Sequence, residues 1–128
     1  MSSTEGLKFT KSHEWVRVEK DIATTGISDF AVKQLSDLVY VDLPAVTDLL
    51  EQGQPFAEVD SVKATSDIYA PLSGEVVEIN ETIGDELDKV SKDPFGGGWF
   101  VKFRLSHPDE LENLMDEAAY RAHCKTQE

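Results

Sequence analysis

The 128-residue sequence contains one cysteine, Cys124, and no apolar run close to the length of a membrane span. One cysteine excludes a disulfide framework within the chain, so a reducing compartment is expected. A helix needs about 20 apolar residues to cross a bilayer, so no membrane association is expected. The N-terminus has neither a basic region followed by an apolar one nor an arginine-rich amphipathic stretch, so it predicts no secretory signal or transit peptide. The expected location is the cytoplasm of a bacterium, or the mitochondrial matrix if this is the mature form of a eukaryotic protein.

Basic residues are also scarce, with 12 lysines and arginines against 25 acidic residues and a formal net charge of −13. Such a charge repels nucleic acid and anionic membrane and favours basic protein surfaces as partners. The length and the 40% content of hydrophobic residues fit a single domain over residues 1–128.

Groups that could support catalysis are few. The three histidines, His13, His107 and His123, are far apart in sequence, and none has a His or Cys at zinc-ligand spacing, so no metal site is predicted. We expect His13 to form a local hydrogen bond near the first strand. Cys124 lies in a C-terminal helix expected to fray, and no base for a catalytic thiolate is evident. The sequence therefore predicts a carrier or binding module and not an enzyme.

The hydrophobic pattern predicts a mostly β fold. Short segments with period-two alternation or strong β propensity recur about every ten residues, which favours a small sandwich or barrel. About seven strands are predicted, at residues 13–19, 22–26, 38–43, 56–62, 64–70, 75–79 and 100–105. Residues 47–54 are expected to be a polar connection, and residues 80–94 an irregular loop with room for one helical turn.

Helices are predicted at two places. Ser28 can cap a short helix from Asp29 to Leu35, and Pro108 suits the first turn of a helical tail. In that tail Leu111, Leu114 and Met115 would form an apolar stripe, and a second helical piece would follow Asp116.

Lys63 lies where two alternating segments meet. In the first segment Ala57, Val59 and Ser61 point to one side and the residues between them to the other. In the second segment Ala64, Ser66, Ile68 and Ala70 alternate in the same way with Thr65, Asp67 and Tyr69. The pattern indicates a β-hairpin with Lys63 at its tip, where a modifying enzyme could reach the side-chain amine. Taken alone, such a lysine is more often an ordinary solvated turn residue.

The surrounding residues resemble a known family. Asp-Ser-Val-Lys-Ala-Thr-Ser-Asp at 60–67, followed by Ile-Tyr-Ala-Pro-Leu-Ser-Gly-Glu-Val at 68–76, is similar to the lipoyl attachment site of the glycine cleavage H-proteins. Five further segments resemble the same family in the same order: residues 12–16, 26–31, 38–44, 93–99 and 114–120. Biotinyl domains use a related hairpin but typically flank the lysine with methionines, whereas Val62 and Ala64 stand here.

The resemblance implies a barrel-sandwich hybrid of two small antiparallel sheets, with a short early helix and a helical C-terminal tail. It also implies lipoic acid as a covalent cofactor on Lys63, attached by a lipoyl ligase or transferase. The family carries methylamine from glycine decarboxylase to aminomethyltransferase, and dihydrolipoamide dehydrogenase then reoxidises the arm. Two alternatives stay open at this stage: a lipoyl donor that relays lipoyl groups to other acceptors, and a biotinyl or lipoyl domain of another complex.

A loaded arm would end in a cationic amine that needs protection from water. Protection requires a cleft and an acceptor for the ammonium, ideally a carboxylate. Ser12, Glu14 and Asp67 are the candidates for this methylamine-lipoyl cleft, although each alone fits an ordinary solvated or turn residue.

The sequence departs from the family pattern at three positions. Asp60 stands where glutamate is usual, and Ser36 and Thr47 stand where glycine is usual. We expect the two lost glycines to shift loops without affecting Lys63.

Overall fold

The computed structural model describes residues 6–35 and 37–126, which form two antiparallel sheets, three short α-helices and one 3-10 helix. A six-stranded sheet has the order β1-β2-β3-β9-β8-β5, and a three-stranded sheet has the order β4-β6-β7. The strands are β1 (Lys8–Phe9), β2 (Glu14–Glu19), β3 (Ile22–Ile27), β4 (Leu38–Asp42), β5 (Leu49–Leu50), β6 (Pro55–Ser61), β7 (Thr65–Tyr69), β8 (Gly74–Ile79) and β9 (Val101–Leu105). The mostly β prediction with two antiparallel sheets is confirmed, and neither sheet closes on itself.

The main hydrophobic core lies between the two sheets. Val16, Ala23 and Phe103 from the large sheet pack in one cluster with Val59 and Ile68 from the small sheet. Each of these residues is buried, as the alternation along their strands predicts. The inward register of the Lys63 hairpin is thus set by its hydrophobic residues, because a one-residue slip would expose them all.

A second, smaller core lies beneath the C-terminal helix. It consists of Leu7, Phe9, Trp15, Phe95, Tyr120 and Cys124. The rings of Phe9 and Tyr120 are stacked, with centroids 4.3 Å apart, and the Trp15 indole donates a hydrogen bond to the Pro94 carbonyl at 2.8 Å. Strand β2 is therefore covered on both faces, since Trp15 is buried in this cluster and Val16 in the main core.

The helices are α1 (Asp29–Leu35), α2 (Asp88–Lys92), a 3-10 helix (Pro108–Asn113) and α3 (Glu117–Lys125). The predicted cap is confirmed, because the Ala31 amide donates to Ser28 Oγ at 3.2 Å. Asp116 caps α3 in the same way by accepting from the Ala119 amide. Among the described residues, none of these helices has the length and apolar character required to cross a membrane.

The tail differs from the prediction in one respect. Leu111, Leu114 and Met115 are partly buried, but they do not form one helical stripe. The first helix is of the 3-10 type, and Leu114 after it is extended. Met115 then forms a two-way backbone pair with Phe9, at 2.8 and 2.9 Å.

Two short strands were not predicted. Strands β1 and β5 are two residues long, too short to show alternation. The connection at 47–54 therefore contains the edge strand β5, which pairs with β8.

Thr47 has a φ of 81°, a backbone conformation that favours glycine. Its amide donates to the Val76 carbonyl at 2.8 Å, so the turn is fixed to the large sheet. Ser36, the other position where the family usually has glycine, lies outside the described residues.

Candidate functional site

Lys63 lies in a two-residue turn between β6 and β7. Asp60 pairs with Thr65, and one step further the Ser61 amide donates to the Ala64 carbonyl at 2.8 Å, which leaves Val62 and Lys63 as the turn residues. The Lys63 side chain is exposed, and within the described chain it has no carboxylate at ion-pair distance. The predicted position of Lys63 at the tip of a β-hairpin is confirmed.

Ser61 stabilises this turn from within. Its Oγ accepts from the amides of Lys63 and Ala64, each at 3.2 Å, and lies 3.1 Å from the Ala64 carbonyl, to which its hydroxyl donates. From outside, the Val62 amide donates to the Asp37 carbonyl at 3.0 Å. The backbone under Lys63 is thus held on both sides, whereas the lysine side chain is left to solvent.

The face of the small sheet beside the tip is acidic. Asp42 pairs with Glu58 on β6, and Glu58 pairs with Asp67 on β7, so three carboxylates lie directly across neighbouring strands. We call Asp42, Glu58 and Asp67 the acidic ladder. Like charges at such positions destabilise a sheet, and none of the three has an ion-pair partner within residues 6–35 and 37–126.

Asp60 stands two residues along β6 from the ladder, opposite Tyr40 and Thr65. In the described part of the chain, its Oδ1 is buried without a hydrogen-bond partner. Val62 is 65% exposed, and Tyr40 is exposed as well, so apolar surface borders the tip.

Glu14 begins β2 and is completely buried, with 0% exposure. Its Oε1 accepts from the hydroxyls of Thr10 and Ser12 at 2.6 and 2.5 Å, and its Oε2 accepts from the Tyr69 amide at 3.3 Å. Burial raises the pKa of the Glu14 carboxyl above its ordinary value, and these hydrogen bonds oppose the shift. The description of Glu14 as a solvated strand residue is therefore wrong.

Ser12 and Glu14 are brought together, whereas Asp67 lies on a neighbouring cleft. Glu14 and Ser12 line a cleft of about 230 Å³, and Ser12 and Asp67 line another of about 330 Å³. Lys11, Ser12 and Tyr69 line both, so the two clefts adjoin along these residues.

A cluster around His13 was missed by the sequence reasoning. His13 Nδ1 lies 2.9 Å from the Tyr120 hydroxyl, which in turn lies 2.5 Å from Ser28 Oγ. The His13 and His123 ring centroids are 6.0 Å apart, although the two residues are distant in sequence. Burial and the nearby His123 lower the pKa of His13. The local hydrogen bond expected of His13 is present at its backbone, where the His13 amide donates to the Thr10 carbonyl at 3.2 Å, but the partner of its ring, Tyr120, belongs to α3.

Cys124 is 4% exposed and packs beside Tyr120 instead of lying in a frayed end. The sequence did contain a signal for this burial, because Cys124 follows Tyr120 by four residues and so lies on the same face of the helix. Among the described residues, no three His, Cys, Asp or Glu side chains lie close enough together to hold a metal ion.

A mostly β protein that displays one lysine on a two-residue hairpin turn has the architecture of a carrier domain. A family model described as glycine cleavage H-protein matches residues 7–127. The chain is 50% identical to the glycine cleavage system H protein of Thermotoga maritima over 117 residues, which cover 91% of this chain and 94% of the relative. It is 54% identical to the H protein of Vibrio campbellii over 115 residues, which cover 89% and 91% of the two chains.

The fold agrees with these sequence similarities. The crystal structure of a glycine cleavage system H protein from Mycobacterium marinum matches with a TM-score of 0.84 and 32% sequence identity, over 91% of this chain and 94% of that one. The chain therefore belongs to the glycine cleavage H-protein family, the lipoyl carriers of the glycine cleavage system. The resemblance seen in the sequence is confirmed.

Proposed function

We propose that Lys63 carries lipoic acid as an amide on its side-chain nitrogen. The observation that carries the proposal is the exposed lysine on a turn whose backbone is fixed by Ser61. A modifying enzyme needs a free amine in a defined position, and this turn supplies both. The lipoyl group would contribute a cyclic disulfide that opens to accept an amine-bearing carbon and closes again on oxidation.

The protein itself acts as a non-catalytic shuttle among glycine decarboxylase, aminomethyltransferase and dihydrolipoamide dehydrogenase. The chemistry on the arm belongs to these enzymes and their cofactors, and the carrier supplies position and docking. The acidic ladder supports the docking role. Carboxylates that weaken their own sheet, next to the attachment lysine, would attract basic surfaces of the partners and speed encounter.

Glu14 and Ser12 would receive the amine end of a loaded arm. The Glu14 carboxylate is buried, and its Oε1 already accepts from two hydroxyls, but its Oε2 accepts only from the Tyr69 amide and so keeps acceptor capacity for an ammonium group. An entering cation would also offset the cost of holding a buried charge. Asp67, on the adjoining cleft, would add negative potential near the path of the arm.

Intact mass after co-expression with a lipoate ligase tests the attachment site. The wild-type chain should gain the mass of one lipoyl group, and Lys63→Arg should gain none, because arginine keeps the charge but lacks the primary amine. Lys89→Arg is the matched control: Lys89 is partly exposed and pairs with Glu86 at 2.5 Å, so uptake should be unchanged. Lipoylation of Lys63→Arg at Lys89 or Lys92 would contradict the assignment.

Turnover with the three partner enzymes tests the shuttle role. The lipoylated chain should support glycine-dependent reduction of the dehydrogenase, and the unmodified chain should not. A lipoylated chain that transfers its lipoyl group to other acceptors but supports no glycine turnover would point to a relay function instead.

A further inference from the structure

We call the cleft lined by Ser12 and Glu14 the Glu14 cleft. Its polar end is formed by one short loop, residues 10–13. Two of its hydroxyls, those of Thr10 and Ser12, face the same oxygen of Glu14. Within the described part of the chain, two backbone hydrogen bonds hold the loop itself: Thr10 N donates to the Glu14 carbonyl, and His13 N donates to the Thr10 carbonyl. His13 closes the loop with a φ of 78°, in the left-handed region that is uncommon for residues other than glycine.

The loop is fastened by the C-terminal segment. Before the loop, Phe9 stacks on Tyr120 and pairs with Met115 through its backbone. Within the loop, the Lys11 carbonyl lies 3.2 Å from His123 Nε2, and His13 Nδ1 lies 2.9 Å from the Tyr120 hydroxyl. The contacts from α3 thus come from one face of the helix, with Tyr120 at their centre.

A hydrogen-bond chain connects Ser28 through the Tyr120 hydroxyl to His13. The Ala31 amide donates to Ser28 Oγ, Ser28 Oγ lies within hydrogen-bond distance of the Tyr120 hydroxyl, and that hydroxyl lies 2.9 Å from His13 Nδ1. The backbone continues the connection, because the Ser28 amide donates to the His13 carbonyl at 2.9 Å.

We propose that Tyr120 is a positioning residue: its hydroxyl holds His13, and through His13 it keeps the loop 10–13 in the conformation that presents Thr10 and Ser12 to Glu14. The consequence for the loaded arm rests on the proposed function of the Glu14 cleft. The effect on the loop does not, because it can be measured on the chain without lipoate.

Tyr120→Phe is the informative variant, because phenylalanine keeps the ring stack on Phe9 and removes only the hydroxyl. On the unlipoylated chain, amide hydrogen exchange at His13 and Ser28 should become at least about five- to tenfold faster, because the hydroxyl's bonds to His13 and to Ser28 are both lost and one hydrogen bond alone is worth that much. The ring nitrogen shifts of His13 should change, because Nδ1 loses its hydrogen-bond partner. Tyr40→Phe is the matched control, since Tyr40 is exposed on β4 and should change neither readout.

A double-mutant cycle separates the proposed contact from general loosening. His13→Asn keeps a residue that tolerates the left-handed conformation but is too short to reach Tyr120. Its effect on exchange at the Ser28 amide should be no larger than that of Tyr120→Phe, which also removes the bond to Ser28, and the double variant should be no worse than Tyr120→Phe alone. Unchanged exchange in Tyr120→Phe, or effects that multiply in the double variant, would overturn the proposal.

The methylamine-loaded form provides the functional measurement. Lipoyl uptake at Lys63 should be unaltered in Tyr120→Phe, and formaldehyde release from the methylamine-loaded form should be several-fold faster than in wild type. Faster loop exchange with wild-type release would overturn the consequence for the arm. If Glu14→Ala also releases at the wild-type rate, the cleft assignment itself fails, whereas the exchange result still decides the role of Tyr120.

Discussion

Replacement of Thr47 by glycine should stabilise this protein. Thr47 has a φ of 81° and a β-branched side chain, it is exposed, and among the described residues its side chain has no hydrogen bond that would compensate for its backbone conformation. A left-handed conformation costs a residue with a Cβ about 1–2 kcal/mol. Glycine removes that cost but adds about 0.4–1 kcal/mol of unfolded-state entropy. The expected net gain in the free energy of unfolding is therefore about 1 kcal/mol, or about 4 °C in Tm.

Urea unfolding at 25 °C measures this gain as a shift of the midpoint at constant slope. Two controls isolate the backbone term. Thr47→Ala removes the side-chain branch but keeps the Cβ, so it should gain far less. Val46→Gly, at a neighbouring exposed position outside the left-handed region, should lose about 0.5–1 kcal/mol. A midpoint for Thr47→Gly at or below wild type, or an equal gain in Thr47→Ala, would refute the reasoning.

Four further predictions concern the site. Moving the lysine by one residue, as Val62→Lys with Lys63→Val, should sharply reduce lipoyl uptake measured by intact mass, because the side chain changes face. Raising the ionic strength from 0.1 to 1 M shortens the screening length from about 10 to about 3 Å and should weaken the apparent affinity for glycine decarboxylase. Glu14→Ala should speed formaldehyde release from the loaded form about tenfold, the worth of one charge-assisted hydrogen bond. Because the pKa of buried Glu14 is raised, its stabilising contribution is present at low pH and lost as the pH rises through that pKa. The free energy of unfolding of Glu14→Gln, relative to that of the wild type, should therefore be higher at pH 7 than at pH 4.

Each of these expectations has a contrary result. Normal uptake in the swapped variant would show that register is irrelevant to the modifying enzyme. An apparent affinity that does not change with salt would assign the acidic surface to solubility alone. Wild-type release in Glu14→Ala would remove Glu14 from the site, and a stability difference independent of pH would show that its buried charge carries no cost.

Local sequence patterns were sufficient for the hairpins and caps. Val59 and Ile68 have hydrophobic neighbours two residues away on the same face, so alternation places them in the core. Ser28 and Asp116 form hydrogen bonds within three residues of themselves, so the sequence around each contains both partners. The Lys63 tip belongs to the same class, because its turn is closed by Ser61.

Residues whose partners are distant in sequence could not be placed in this way. Glu14 lies on the same face of β2 as Val16 and Val18, which indicates the inner face, but its charge favoured a solvent-exposed position. Its burial depends on Thr10, Ser12 and the Tyr69 amide, of which the last is 55 residues away. The His13 cluster depends on the docking of α3, which brings in Tyr120 from 107 residues away. Hydrophobic periodicity contains no information on such polar contacts.

The two-residue turn under Lys63 also determines how high an affinity a cleft on this protein needs in order to hold the tethered group. A group on a short tether, held at one fixed point, meets any site within its reach at an effective concentration in the millimolar range. A cleft with an intrinsic Kd of about 1 mM, worth only about −4 kcal/mol, would then hold the group for roughly half of the time. A rigid tip thus permits weak retention, and a partner enzyme can withdraw the group against a free-energy difference close to zero.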